Sequence, residues 1–405
     1  KDHGASSIGA LVSPHSTLEE LHLASTLVRS LGSDNIDYRL RNAEFAKAEG
    51  VRYLGTSIAS LTQLQRVLVV GSNLRKDHPL FAQRIRQAQR HGGQVNIITS
   101  KALFNGADAW AMPIKNADVQ EASGWAQSMA NVAAAIAAEK GVTAPANGQA
   151  TPEAQAIAKS LLGGERKAIL LGNAAAHHAN ASSLLSLAKW IAENTGATYG
   201  YLTEAANTVG AQWVKAEPQS GGLNAAQMLA GGLKAALLLN TEPVEDSAAG
   251  AKAVAALAAM QMVVTLSPFK TNMAFSDVLL PIAPFSETSG SFVNAEGRLQ
   301  SFHAVVKPLA ETRPAWKILR VLANMLGLPQ LAFETSQDVL KQITASPLNL
   351  SNDCSSEVRL AGVVDTPCVA SIYQLDSLVR RAPSLQLTAD ARNAAASSVA
   401  EGVHA

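Results

Sequence analysis

Short apolar runs along this chain alternate with longer stretches whose apolar positions recur every three or four residues. That alternation predicts an α/β fold built on parallel sheets. Residues 8–12 (IGALV) predict a strand. Leu18, Leu21, Ala24, Val28 and Leu31 then share one helical face, and Gly32 ends it. Ser16 followed by Glu19 predicts a capping box at the start of that helix. The next unit is sharper. Residues 67–70 predict a buried strand, Gly71-Ser72-Asn73 a turn, and Pro79 to about Arg90 a helix. Proline suits the first helical position, where a missing N–H costs nothing. Gly92-Gly93 closes the helix, residues 95–99 predict the next strand, and residues 119–139 a further helix.

Residues 141–151 (GVTAPANGQAT) are small and turn-forming, which predicts a linker. The strand–glycine–helix rhythm then restarts. Strands are expected at 169–171, 235–239, 262–266 and 277–280, and helices at 183–194, 247–260 and 314–326. From Thr335 the periodicity weakens, although Ile372, Leu375, Leu378 and Val379 recur near helical spacing. The expected division is a first α/β lobe over 1–145, a linker over 146–154, a second α/β lobe over 155–334 and an irregular C-terminal arm over 335–405. Residues 392–405, rich in Ala and Ser, are expected to be disordered.

The 405 residues suffice for more than one core, and 47% hydrophobic against 16% charged residues indicates a globular protein. Lys plus Arg (33) nearly equals Asp plus Glu (32), so the charge balance gives no case for nucleic acid or an anionic membrane. No apolar run approaches the roughly 20 residues needed to cross a bilayer, and no signal peptide is evident. Cys354 and Cys368 fit no common zinc or iron–sulfur spacing. The chain enters its first strand almost at once, as expected of a piece of a longer protein.

Three strand-end loops are the candidate ligand sites. Gly71, Ser72 and Asn73 precede a helix and could cradle phosphate through backbone N–H groups, although many α/β turns need glycine only for geometry. Gly172 and Asn173 form a similar turn ahead of His177 and His178. Those histidines lack an acidic or cysteine cluster, so they are expected to be loop residues rather than metal ligands. Asn240 through Pro243 closes another strand, with Glu245 and Asp246 following. Residues 286–300 (SETSGSFVNAEGRLQ) predict a loop or hairpin and contain no Ser-His-Asp or Cys-His arrangement. No catalytic and no metal-binding residue is assigned.

Taken together, these pieces resemble the molybdopterin-dinucleotide oxidoreductases over residues 5–330. The most specific stretch is 277–300 (DVLLPIAPFSETSGSFVNAEGRLQ). Residues 67–88, 234–243 and 314–327 resemble the family's strand–Gly-Ser-Asn–helix, Asn-x-x-Pro and P-x-W-x-I elements. Within the family, residues 13–20 (SPHSTLEE), 35–41 (NIDYRLR) and 372–391 are similar to the large iron–sulfur subunit of bacterial NADH:quinone oxidoreductase, complex I.

The resemblance implies two Rossmann-like lobes of the formate dehydrogenase/DMSO reductase type with an irregular tail. It implies a structural and assembly role in supporting electron transfer from NADH to quinone. The partners would be other subunits of the peripheral arm, on the cytoplasmic side of the inner membrane, with no nucleic acid and no direct membrane insertion. The [2Fe-2S] and [4Fe-4S] clusters would sit in an N-terminal part absent here, and this chain would hold no cofactor. Three departures from catalytic relatives support that reading. The slot for the metal-ligating Cys or selenocysteine falls at Asn42, Ala43 and Glu44. Thr99-Ser100-Lys101 stands in place of Asp-Pro-Arg. Only residues 335–405 follow where a cofactor-closing barrel is expected. Gly71, Ser72, Asn73, Gly172, Asn173, Asn240 and Pro243 would then be vestigial. The alternative is an active molybdenum or tungsten bis-molybdopterin oxidoreductase, with Glu44 as an unusual ligand.

Overall fold

The computed structural model describes residues 3–104, 110–360 and 365–392. The chain divides into two compact units, neither continuous in sequence. Unit 1 is made of residues 1–41, 205–348 and 370–405, and unit 2 of residues 42–204 and 349–369.

Unit 1 begins with β1 (Ile8–Val12), α1 (Leu18–Ser30) and β2 (Ile36–Asp37). The capping box of α1 is Thr17 with Glu20, one residue later than expected. The Ser16 hydroxyl is buried without a partner among the described residues, and the Ser16 carbonyl accepts from the Asn207 side chain at 2.9 Å. Glu19, the expected partner, turns away to a different bond described below.

Unit 2 follows with β3 (Arg66–Val70), α2 (Leu74–Asp77), α3 (Pro79–Arg90), β4 (Gln94–Thr99) and β5 (Asn116–Val119). It continues through α4 (Trp125–Lys140), α5 (Pro152–Leu162), β6 (Lys167–Leu171), α6 (Asn173–Ala176), α7 (Ala181–Thr195) and β7 (Thr198–Tyr201). Its sheet is parallel with order β5-β4-β3-β6-β7. Helix α4 is alanine-rich and buried almost all round, with Trp125, Met129, Val132 and Ile136 in a core shared with α5, α7 and the central strands. Small alanine side chains let the helices approach closely, and the few large side chains supply most of the apolar burial.

The stretch expected to join two lobes lies inside unit 2. Gln149 N donates to Asn131 Oδ1 at 2.8 Å, and Gln127 donates to the Asn147 carbonyl at 3.1 Å. A Cβ on Gly148 would stand 2.2 Å from the Ala130 carbonyl oxygen. The small residues that suggested a linker therefore serve close packing on α4. Thr151 then caps α5.

The chain returns to unit 1 with α8 (Thr208–Trp213), α9 (Ala225–Leu229), β8 (Ala235–Leu239), α10 (Pro243–Asp246), α11 (Lys252–Ala258), β9 (Met262–Ser267) and β10 (Val278–Pro281). The hairpin β11 (Gly290–Val293) and β12 (Leu299–Phe302) and the helices α12 (Ala315–Met325) and α13 (Ser336–Thr344) follow. The parallel sheet has order β10-β9-β8-β1-β2. The expected contiguous lobes thus give way to a sheet whose first strand pairs with β8, beyond the whole of residues 42–204.

Over its described residues, the expected arm at 335–405 is more ordered than its pattern suggests. Thr335 and Asp338 form a full capping box on α13, whose Val339 and Ile343 are buried. Thr335→Ala is expected to cost about 1 kcal/mol, read as a lower urea midpoint. Residues 349–369 rejoin unit 2, where Asn352 donates to the Tyr199 carbonyl at 2.8 Å and accepts from Tyr53 N at 3.0 Å. The tail ends in α14 (Ser377–Arg380) and α15 (Pro383–Gln386) on unit 1. The disorder expected over 392–405 falls, from residue 393, outside the described residues. Among the described residues no helix is long and apolar enough to cross a membrane.

Candidate functional site

Open parallel sheets take ligands at the carboxyl ends of the two neighbouring strands from which the chain winds off in opposite directions. In unit 2 these are β3 and β6, and in unit 1 they are β1 and β8. Gly71, Ser72, Asn73, Gly172 and Asn173 meet at the first such point. Asn240 and Pro243 lie at the second.

In unit 2, Gly71 has φ +60, and a Cβ there would stand 2.7 Å from Ala175 N and from the Trp125 ring. Only glycine lets β3 turn so close to the start of α6. The turn is closed by its own helix. Asp77 Oδ2 accepts from Ser72 Oγ at 2.9 Å and from Asn73 N at 2.8 Å. Burial pushes the Asp77 carboxyl up to about 6. The bonds from Ser72 and Asn73 oppose this and the nearby Glu204 charge adds to it.

Three histidines surround this point. Burial lowers His78 to about 4. His177 donates from Nδ1 to the Cys368 carbonyl at 2.8 Å, and its Nε2 lies 3.4 Å from Glu204 Oε2. His178 stacks on Trp125, accepts from Asn180 N at Nδ1 and so donates from Nε2 to the Ala122 carbonyl at 2.9 Å. Burial lowers its pKa, as suits a neutral ring held in one tautomer. Among the described residues, no group of three or more His, Cys, Asp or Glu side chains is placed to hold a metal ion.

The segment expected to face a metal is equally committed. Asn42 donates to the Ala176 carbonyl at 3.5 Å, and Ala43 N donates to the His177 carbonyl at 3.1 Å. Glu44 accepts from Ser182 N at 2.7 Å and from the Ser182 hydroxyl, both at the N-terminal turn of α7. A carboxylate there satisfies free N–H groups and complements the helix dipole.

The unit 1 turn repeats this construction. Asn240 takes the place of Gly71, with φ +51. Asp246 Oδ2 accepts from Thr241 Oγ1 at 3.3 Å and from Glu242 N at 2.8 Å. In both turns the carboxylate follows the hydroxyl residue by five positions and the bonded N–H by four. That Ser/Thr-to-Asp spacing is the signal by which the sequence could have revealed Asp77 and Asp246. Pro243 opens α10 at its first helical position. Around Asp246 gather Arg41 at 3.4 Å and Arg380 at 2.9 Å, with Glu242 bridging Arg380 at 3.1 Å and Arg381 at 2.9 Å. Sequence reasoning did not place these arginines here, since nothing local marks a partner more than a hundred residues away.

The stretch 286–300 supplies no chemistry of its own. It is the hairpin β11–β12, seated on α1. Glu19 accepts from Ser291 N at 2.9 Å and Ser291 Oγ at 2.8 Å, and Asn207 Oδ1 accepts from Val293 N at 2.8 Å. These buried bonds tie the hairpin to two helices.

Comparison with known proteins agrees with this architecture. The chain is 24% identical over 393 residues to the alpha subunit of the NADPH-Fe(3+) oxidoreductase of Geobacter sulfurreducens, covering 80% of this chain and 46% of that protein. It is 24% identical over 411 residues to the Bacillus subtilis oxidoreductase YjgC, covering 84% and 41%. The chain therefore spans less than half the length of these curated relatives. A chain of the formyltransferase/hydrolase complex of Methylorubrum extorquens, solved with methylofuran, shares the fold with a TM-score of 0.57 at 18% identity, over 80% of this chain and 92% of that one. The family profile described as molybdopterin oxidoreductase matches residues 1–325, most of the chain. With two parallel-sheet units, paired strand-end turns and that match, the chain belongs to the molybdopterin oxidoreductase family.

Proposed function

We propose that this chain is the molybdopterin-oxidoreductase-like region of the large iron–sulfur subunit of bacterial NADH:quinone oxidoreductase, where it supports the peripheral arm without a redox centre of its own. The observation that carries this reading is the closure of both strand-end turns by Asp77 and Asp246. A pterin dinucleotide is held largely through its phosphates, and phosphates bind to free backbone N–H groups and positive potential. Here Asn73 N and Glu242 N already donate to carboxylates. A phosphate at unit 2 would face Asp77 and Glu204, and one at unit 1 would have to displace Glu242 and Asp246 from Arg41, Arg380 and Arg381. Glu44, the one hard ligand in the metal slot, already receives two bonds from Ser182. The residues present do not fit the family's cofactor.

The resemblance of residues 13–20, 35–41 and 372–391 to complex I supplies the rest of the proposal. The partners are other peripheral-arm subunits, and the location is the cytoplasmic face of the inner membrane. The family's fold also serves a formyltransferase/hydrolase complex, so the fold leaves the chemistry open. The second reading, a molybdenum or tungsten oxidoreductase, draws on family membership and on relatives named as oxidoreductases.

Elemental analysis separates the two. The chain purified from molybdate- and tungstate-supplemented cells is expected to carry far less than one metal atom per chain and no extractable pterin. Near-equimolar metal would establish the second reading. In the source bacterium, deleting this region is expected to deplete the assembled peripheral arm on native gels. A normally assembled arm would rule out the supporting role.

A further inference from the structure

The crevice at the end of β1 and β8 in unit 1, where open α/β sheets take ligands, is occupied by the chain's own tail. Arg380 Nη1 lies 2.9 Å from Asp246 Oδ1, and Arg380 Nη2 lies 3.1 Å from Glu242 Oε2. Arg381 Nη1 lies 2.9 Å from Glu242 Oε1, and its guanidinium stacks over the Phe269 ring at 4.3 Å. The Arg380 side chain is 8% exposed, as is that of Glu242. This is a socket of two carboxylates and one aromatic face, with Arg41 of the unit itself 3.4 Å from Asp246, filled by an arginine pair.

The segment that delivers the pair is organised by itself. Asp376 caps α14 through Leu378 N and Val379 N. Gln386 donates to the carbonyls of Tyr373 and Val379 at 2.9 Å each and accepts from Gln374 at 3.2 Å. Arg380 also donates to the Gln374 carbonyl at 2.6 Å. Of its apolar residues, Ile372, Leu375, Leu378 and Val379 are half-buried and Ala391 is buried, while Leu385 and Leu387 are 40% and 66% exposed. At the socket the segment is held by its guanidinium groups, the planar fork of Arg380 spanning the two carboxylates with one nitrogen on each.

We propose that residues 370–392 form a detachable strap, and that the Glu242–Asp246 socket beneath it is a docking site for an arginine-pair peptide, filled here in cis. When the strap is displaced, the same socket takes an Arg-Arg segment from a separate chain. The chemistry is a dibasic peptide on a buried dicarboxylate. The proposal does not depend on whether the chain supports complex I.

The test uses the full chain carrying Arg380→Glu and Arg381→Glu together, which sets like charges against the socket. Hydrogen exchange over 370–392 should rise at least tenfold while circular dichroism stays native. A fluorescent peptide with the unaltered sequence of residues 371–386 should bind this variant at least tenfold more tightly than the unaltered chain. The same peptide with both arginines changed to glutamate should not bind. If the charge reversal prevents folding, the pair Arg380→Gln and Arg381→Gln is read in the same way. Unchanged exchange over the strap overturns the proposal, and so does peptide binding no tighter than to the unaltered chain. If neither variant folds, the arginines belong to the core and the strap is not detachable, which also overturns it.

Discussion

Replacing Gly172 with valine is expected to unfold unit 2. A Cβ at this position would stand 2.3 Å from Ser72 Cβ and 2.6 Å from the Gly71 carbonyl oxygen. The obstacle includes the backbone of the neighbouring turn, so no rotamer change relieves it. The two turns would have to separate, breaking the bond from Gly172 N to the Val70 carbonyl at 2.8 Å. Loss of more than about 4 kcal/mol is expected, at the severe end for a single substitution. Gly141→Ala is the control. Unlike Gly172 it has positive φ, and its Cβ would meet nothing within 4 Å. It should cost only about 1 kcal/mol, the strain of a left-handed alanine. Thermal unfolding followed by circular dichroism reads both. A Gly172→Val chain melting within a few degrees of the unaltered protein would show that the two turns are not packed as described.

Glu20→Gln is expected to stabilise the protein at pH 8 and to leave it unchanged at pH 4. Glu20 is buried at the start of α1, and burial lifts its carboxyl from 4.5 to about 7 against the hydrogen bonds from Thr17. The folded state thus holds a proton that the unfolded chain has released. The stability that goes with this proton is present below pH 4.5 and is lost as pH rises to about 7. At roughly 1.4 kcal/mol per pKa unit, the deficit above pH 7 is about 3 kcal/mol. Glutamine keeps the oxygen that accepts from Thr17 N and is never charged, so the capping box survives and the pH term disappears. The measurement is the difference in melting temperature between the two proteins at pH 4 and pH 8. Equal differences at both pH values would mean that Glu20 does not titrate on folding. Glu19 is also raised by burial and shifts in the same direction, so some pH dependence should remain in the variant.

The strands of both sheets were largely legible as short apolar runs, and β3, β6 and β8 carry a glycine or asparagine at their ends as well. β2, β5 and β7 were not, since Ile36–Asp37 is too short and Asn116–Val119 (NADV) and Thr198–Tyr201 (TYGY) too polar to stand out. Helix α13 was missed although Thr335 and Asp338 have the spacing of a cap, because its polar residues outweigh the Val339–Ile343 stripe. The helix expected over 247–260 is shortened to α11, Lys252–Ala258, which begins only after Gly250 at φ +53. At the candidate sites, glycine marked the turns but not what fills them. Asp77 and Asp246 lie on the turn's own helix and could have been read from spacing. Arg380 could not, because its partners Glu242 and Asp246 are remote in sequence and local patterning carries no record of such pairs. The division into units failed for a related reason. Hydrophobic periodicity reports which residues are strands but not which strands are neighbours, and β1 pairs with β8.

That pairing has a consequence for the order in which the molecule is made. During synthesis β1 emerges before β8, and Ile8 must wait for Ala235 before its ladder closes. Residues 42–204 carry all five strands of the unit 2 sheet and leave the ribosome well before β8 does. Their folding brings the two ends of a long loop together and lowers the entropy cost of joining β1 to β8. In the interval β1 has β2 on one side and an open edge on the other, a template for wrong pairing. Substitutions that slow unit 2, Gly172→Val among them, should then increase the fraction of nascent chains lost to aggregation through a strand they never touch.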